Sequence, residues 1–427
     1  MIEEPLLQLA VMWIGVLIAS LLASKTKLTS VLFYLFIGAL LVNFGVLPTE
    51  TSPFIRGIAE LGIILIMFAL GFEENTRNFL RSIKRSWGIA FFGALAPFLA
   101  AYTLADFFWD DTGISLMCGL TMTATAVSLT MVSLRSLGLQ RSTAATGIMT
   151  SAVLDDIASL ALVAVLVPIA AGQTALSPLG LSLTIGKAVA FFTVIALVSA
   201  YLLPHDLTGW VAKIPLIGKY GARNLIAVDG GEHSSLTILL FALLVGLAAY
   251  EFGFHPAIGA YMAGLILREE YFLFHPKNVR GSFRRTKTII DIAAFSWIGP
   301  IFFVDLGTKI IFDWDIFFSI IPHTVALLVA LFVVQVISAA LAARYTGRFS
   351  FHESVLIGFG MLGRAELAFV VMDIAYTQNA ILSTEAFYTL MATAFGLNVA
   401  VPICITWWKP YYDRAQQSGE SGVHLPP

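Results

Sequence analysis

Two carboxylates on consecutive residues, Asp155 and Asp156, stand in the middle of an apolar run that extends from about Ala144 to Ala170. Neighbours such as Met149, Leu160, Val163 and Leu166 leave them no cation nearby in sequence. A run of that length is a transmembrane helix candidate, which places the pair near mid-membrane. An ionised carboxylate there costs about 3 kcal/mol on insertion scales, and it persists where it faces a wet cavity, pairs with another group or takes up a proton. Adjacent helical positions differ by about 100° in direction, so one aspartate faces a cavity squarely while the other sits at its edge. Carboxylates this close titrate as a coupled unit. A cation on the same oxygens competes with protons, and that competition is enough to couple cation movement to proton movement.

Two further stretches carry chemistry. Thr121-Met122-Thr123-Ala124-Thr125-Ala126-Val127-Ser128 concentrates hydroxyls in mid-span. Hydroxyls serve freed backbone groups where a helix unwinds, and they offer oxygen ligands to a hard cation. Thr123, Thr125 and Ser128 are therefore candidates beside the aspartates, with interhelical glue as their plainer use. Gly358-Phe359-Gly360-Met361-Leu362-Gly363-Arg364-Ala365-Glu366 places three glycines and two charges in another apolar span. Glycine is costly inside a helix, so this stretch fits an unwound crossing segment whose half-helix ends point at a site. Arg364 and Glu366, two residues apart, lie on nearly opposite faces if helical and are expected to pair with other helices in structural or gating roles. Gln335, alone in Val333-Val334-Gln335-Val336-Ile337, bridges two helices or contacts a carboxylate. Pro300 is expected to kink its span, with Asp305 toward one end; Glu60 and Asp373 also lie near ends, and His255 is a candidate pH sensor.

The elements that must position these residues follow from composition. Of the 427 residues 58% are hydrophobic and 12% charged, against roughly 25% charged in a soluble domain. The fold class is an all-α polytopic membrane protein. Apolar runs give about thirteen spans, at 5–23, 29–47, 57–73, 86–106, 112–133, 142–169, 181–203, 234–251, 254–269, 286–305, 314–343, 352–376 and 383–406. With the N-terminus outside, every basic residue among the 25 except Arg56, Lys187, Lys309 and Arg364 falls in an inner segment, which supports an odd count and a cytoplasmic C-terminus. The N-terminus reads as a retained span, and Cys118 and Cys404 as apolar filler. A net charge of −2 gives no basic surplus for nucleic acid.

The spans divide as a six-plus-six inverted repeat, 5–169 and 234–406, around a linker helix at 181–203. The fifth span of each repeat is then one of the two stretches that look broken. The transmembrane domain occupies 1–410, followed by a short disordered tail, 411–427, with no nucleotide-binding domain.

The chain resembles the monovalent cation:proton antiporter-2 family of sodium/proton and potassium/proton exchangers. The likeness rests on Glu60-Leu61-Gly62-Ile63 through Gly71-Phe72-Glu73, on Val132-Ser133-Leu134-Arg135-Ser136-Leu137-Gly138, and on Leu154-Asp155-Asp156-Ile157. It continues through Phe254-His255-Pro256-Ala257-Ile258-Gly259-Ala260-Tyr261, Pro300-Ile301-Phe302-Phe303-Val304-Asp305 and Gly363-Arg364-Ala365-Glu366-Leu367. The resemblance implies a transporter rather than an enzyme, a homodimer in the lipid bilayer, and a core half that moves as an elevator against a scaffold half. It implies Asp156 as principal carrier of cation and proton, with Asp155 as the second carboxylate of the sodium-type members. Those members carry a lysine where this chain has Gln335. The expected cargo is Na+, or K+ or Li+, against H+, with no cofactor, in a prokaryotic inner membrane. Other classes fit less well: an intramembrane aspartyl protease needs its carboxylates on separate helices, a channel needs a repeated filter segment, and a sodium-coupled symporter of related fold would need an organic substrate.

Overall fold

The computed structural model describes residues 4–26, 30–73, 76–125, 129–130, 133–134, 137–139, 142–172, 186–187, 190–191, 193–195, 197, 233–252, 254–267, 272, 279–364 and 366–417. Among these every regular element is helical. They are α1 (Pro5–Lys25), α2 (Ser30–Asn43), α3 (Pro53–Glu73), α4 (Thr76–Trp109), α5 (Thr112–Thr121), α6 (Thr143–Ala170) and α7 (Ser234–Glu251). There follow α8 (Pro256–Ile266), α9 (Val279–Ile292), α10 (Gly299–Gly307), α11 (Trp314–Tyr345), α12 (Phe351–Gly360), α13 (Glu366–Asp373) and α14 (Thr384–Gln417). Single π-helical turns, Ala293–Trp297 and Ile374–Gln378, extend α9 and α13.

Among the described residues eight helices are long and apolar enough to cross a membrane: Pro5–Lys25, Pro53–Phe72, Ser86–Trp109, Thr143–Ala170, Ser234–Glu251, Phe283–Gly307, Trp314–Tyr345 and Thr384–Gln416. Shorter apolar helices at Ser30–Asn43, Thr112–Thr121, Pro256–Ile266 and Leu367–Gln378 fall in four of the other expected spans. The expected linker span at 181–203 lies largely outside the described residues.

Local chemistry sets the helix starts. Asp111 accepts from the Ile114 N–H at 2.8 Å to open α5, and Ser142 accepts from the Ala145 N–H at 3.1 Å to open α6. Ser350 and Glu353 form a reciprocal capping box at the start of α12. His255, a candidate pH sensor by sequence, caps α8: its Nδ1 accepts from the Ala257 N–H at 3.2 Å. Pro300 interrupts its span, as expected: the backbone bends at Ile298, between the π-helical turn and α10. It occupies the first turn of α10, where its missing N–H costs nothing, after the π-helical turn has ended at Trp297.

The chain forms two compact units, each assembled from distant segments. Unit 1 comprises Met1–Leu17, Ile37–Thr76 and Leu176–Lys309. Its α3 and α8 touch backbone to backbone: a Cβ on Gly71 would run into the Tyr261 carbonyl, and one on Gly264 into the Phe68 carbonyl. Phe72 packs on Phe272 and Phe283 at ring separations of 5.8 and 5.2 Å, which ties α3 to α9. Thr51 donates to Asp305 at 2.6 Å.

Unit 2 comprises Ile18–Phe36, Arg77–Ala175 and Ile310–Pro427, and holds α4, α5, α6 and α11 to α14. In it α5 packs on α6, α12 on α6 and α11, and α13 on α5. Its last helix is longer than the sequence suggested. Residues 411–417, expected in a disordered tail, continue α14, held by a Lys409–Asp413 ion pair and by Gln416 donating to the Tyr412 hydroxyl at 2.8 Å.

Candidate functional site

The chemistry-bearing residues gather in unit 2 around two interruptions of the helical backbone. The first follows Thr121, where α5 ends and residues 122–125 are non-helical before helix resumes at 129–130. The second follows Gly360, where α12 ends and residues 361–364 are non-helical before α13 begins at Glu366. The Thr130 hydroxyl donates to the Gly360 carbonyl at 2.7 Å, so the resumed first helix meets the end of α12. α13 also packs on α5, so the two interrupted helices are neighbours.

On the adjoining face stands α6. Asp155 is fully buried, whereas Asp156 is partly exposed. The Thr125 hydroxyl, in the first break, donates to Asp155 Oδ2 at 3.0 Å. The other oxygen, Oδ1, is buried without a hydrogen-bond partner. Thr123 lies in the same break; its hydroxyl donates to the Leu120 carbonyl at 2.7 Å and accepts from Ser159 at 3.0 Å. Ser159 was not singled out from sequence, although it follows Asp155 by four residues, the spacing that puts two side chains on one helix face. Ser128 lies outside the described residues.

The second break is organised by Arg364, fully buried. Its Nη1 donates to the carbonyls of Met361, Leu362 and Gly363 at 3.2, 3.2 and 3.1 Å, and its Nη2 to Gln335 Oε1 at 2.9 Å. Asn398, on α14, holds the Arg364 backbone from both sides: its Oδ1 accepts from the Arg364 N–H at 2.7 Å and its Nδ2 donates to the Arg364 carbonyl at 2.8 Å. The reading of Arg364 by helical faces therefore does not apply. The residue lies in the break, and the free carbonyls there direct its guanidinium. For Glu366 only the backbone, which opens α13, is described. Asn398 was missed in sequence; its signal was that of Gln335, a lone amide in an apolar run.

Gln335, also fully buried, spans from Arg364 to α4, where its Nε2 donates to the Gly93 carbonyl at 3.0 Å. Arg364 and Asp155 carry opposite charges and are both fully buried within unit 2. The structure thus brings together Asp155, Thr125, Thr123 and Ser159 on one side, and Arg364, Gln335 and Asn398 on the other. The first group is a set of hard oxygen ligands of the kind that suits an alkali cation.

The chain matches the family model described as "Sodium/hydrogen exchanger, transmembrane" over residues 13–206 and 207–408. It is 26% identical over 345 residues to the probable Na(+)/H(+) antiporter GerT of Bacillus cereus, covering 80% of this chain and 82% of that one. It is 24% identical to the Na(+)/H(+)-K(+) antiporter GerN of Bacillus cereus, covering 97% of this chain and 98% of that one. The fold is that of the sodium proton antiporter MjNhaP1 from Methanocaldococcus jannaschii, with a TM-score of 0.66 at 15% identity over 95% of this chain and 100% of that one. Matched to that family model along nearly its whole length, with two interrupted helices packed together near a buried aspartate, this protein belongs to the sodium/hydrogen exchanger family and is a multi-pass membrane antiporter of cations and protons.

Proposed function

We propose that the cation exchanged for protons is Na+, carried at Asp156 and Asp155. The observation that carries this reading is the Asp155 carboxylate: fully buried, bound through one oxygen to Thr125 of the first break, and with its second oxygen unpartnered. A desolvated oxygen that nothing fills is unfavourable and invites either a proton or a cation, which is the competition that exchange requires. Asp156, partly exposed beside it, is the group through which both ions enter and leave. Thr125, Thr123 and Ser128 supply neutral oxygens, while Arg364 and Glu366 hold the second break.

Transport in this reading is by elevator. Unit 2, which contains the carboxylates and both breaks, is the moving part, and unit 1, knitted through Gly71 and Gly264, is the scaffold. The protein works as a homodimer in a prokaryotic inner membrane, with the N-terminus outside and the C-terminus cytoplasmic. A second reading, potassium as cargo, is supported by the name of the GerN relative, which includes both cations. The test uses proteoliposomes carrying an imposed pH gradient and an internal pH dye. Collapse of the gradient by NaCl and not KCl is the expected result. Collapse by KCl alone would move the assignment to potassium, and silence with NaCl, KCl and LiCl would overturn the exchange reading.

A further inference from the structure

Pro97 lies inside α4, buried, and a prolyl nitrogen cannot donate to the carbonyl four residues earlier. That carbonyl belongs to Gly93, and its partner comes from another helix: Gln335 Nε2 donates to it at 3.0 Å. An amide donates only through nitrogen and accepts only through oxygen. Anchoring Nε2 on Gly93 therefore turns Oε1 toward the second break, where it accepts from Arg364 Nη2 at 2.9 Å. The guanidinium is held between this amide and the carbonyls of Met361, Leu362 and Gly363, a built-in cation on the oxygens of the break. Its Nε and the Asp155 Oδ1 are both buried without a hydrogen-bond partner, and the two groups carry opposite charges.

We infer that Pro97 and Gln335 are positioning residues of the exchange site. The carbonyl that Pro97 leaves open orients the Gln335 amide, and the amide keeps the Arg364 guanidinium on the second break and off the Asp155 oxygen that takes the cation. This rests on the exchange reading of the aspartates. Without its Nη2 partner the guanidinium turns to the unpartnered oxygen and competes there with the transported ion. The bending that a proline imposes on a helix is then secondary to the carbonyl it leaves open.

Three variants test this in the proteoliposome assay, with the exchanged cation titrated: Pro97→Ala, Gln335→Leu and the two combined. Alanine at 97 supplies the missing N–H to the Gly93 carbonyl and suits a helix, so the variant folds. Each single substitution is expected to raise KM for the cation by about tenfold, the scale of losing one hydrogen bond to a charged group, with the maximal rate little changed. The combined variant is expected to match either single one, because both act through the same amide. Multiplying effects would overturn the inference, since Pro97 would then act through the bend and Gln335 separately. A fall in maximal rate with KM unchanged would overturn it too. Absence of exchange in the unsubstituted protein is a separate outcome, which would overturn the exchange reading and this inference with it.

Discussion

Asp155 and Asp156 are neighbours in sequence and differ in burial because one helical step turns the side chain by about 100°. Asp155 is turned to Thr125 and the breaks, while Asp156 remains partly exposed. In the proposed exchange the buried carboxylate offers its unpartnered oxygen to the ion, and the more accessible one is where cation and proton enter and leave. Asp156→Asn is expected to abolish exchange and leave the protein folded, because an amide of the same shape cannot take up and release the proton. Exchange rate in proteoliposomes, with gel filtration as the folding control, checks this. Exchange surviving in that variant would remove Asp156 from its role.

Helix ends decide how the site is held. An interrupted helix exposes carbonyls and N–H groups that apolar surroundings cannot satisfy. In this chain side chains take them up: Thr123 on Leu120, Thr130 on Gly360, Arg364 on residues 361–363, and Asn398 on Arg364 itself. The far end of α12 is fixed by Glu353. One of its oxygens accepts from the Ser350 N–H at 2.9 Å within the capping box, and the other from the Thr143 hydroxyl in the first turn of α6. A carboxylate between two helix N-termini also meets the positive ends of both dipoles. Glu353→Ala should therefore destabilise the protein by about 1–3 kcal/mol, read as a lowered melting temperature in detergent. An unchanged melting temperature would mean that Glu353 does not tie α6 to α12.

At the scale of the whole molecule, every described residue of the proposed ion site falls within unit 2. Binding of a cation stabilises whatever it binds, by about 2.7 kcal/mol at a hundredfold excess over Kd. Hydrogen exchange should therefore slow on addition of sodium in α5, α6, α12 and α13. It should stay unchanged in α3, α8 and α10 of unit 1. Equal slowing across both units would contradict a site confined to unit 2, and no slowing anywhere would contradict sodium binding itself.

The sequence by itself determined what depends on composition and on single-residue cost. Long apolar runs in a weakly charged chain point to membrane helices, two aspartates inside one run mark a candidate site, and glycines and threonines at mid-span mark where a helix yields. Positions 122–125 and 361–364 are non-helical where those residues cluster. Tertiary structure decided the rest, because partners are chosen by packing between segments far apart in the chain. Nothing near Gln335 in sequence names Gly93 or Arg364 as its partners, and among the hydroxyls expected beside the aspartates only the fold picks out Thr125 as one that bonds Asp155. Ser159 and Asn398 left only slight signals, a hydroxyl four residues from Asp155 and a lone amide in an apolar run, and their positions across from Thr123 and Arg364 supply the partners. The division into two units was likewise hidden from a reading of consecutive halves, since each unit draws segments from both halves of the chain. An apolar run states that it must be buried or face lipid, and the fold alone determines which buried polar groups then meet.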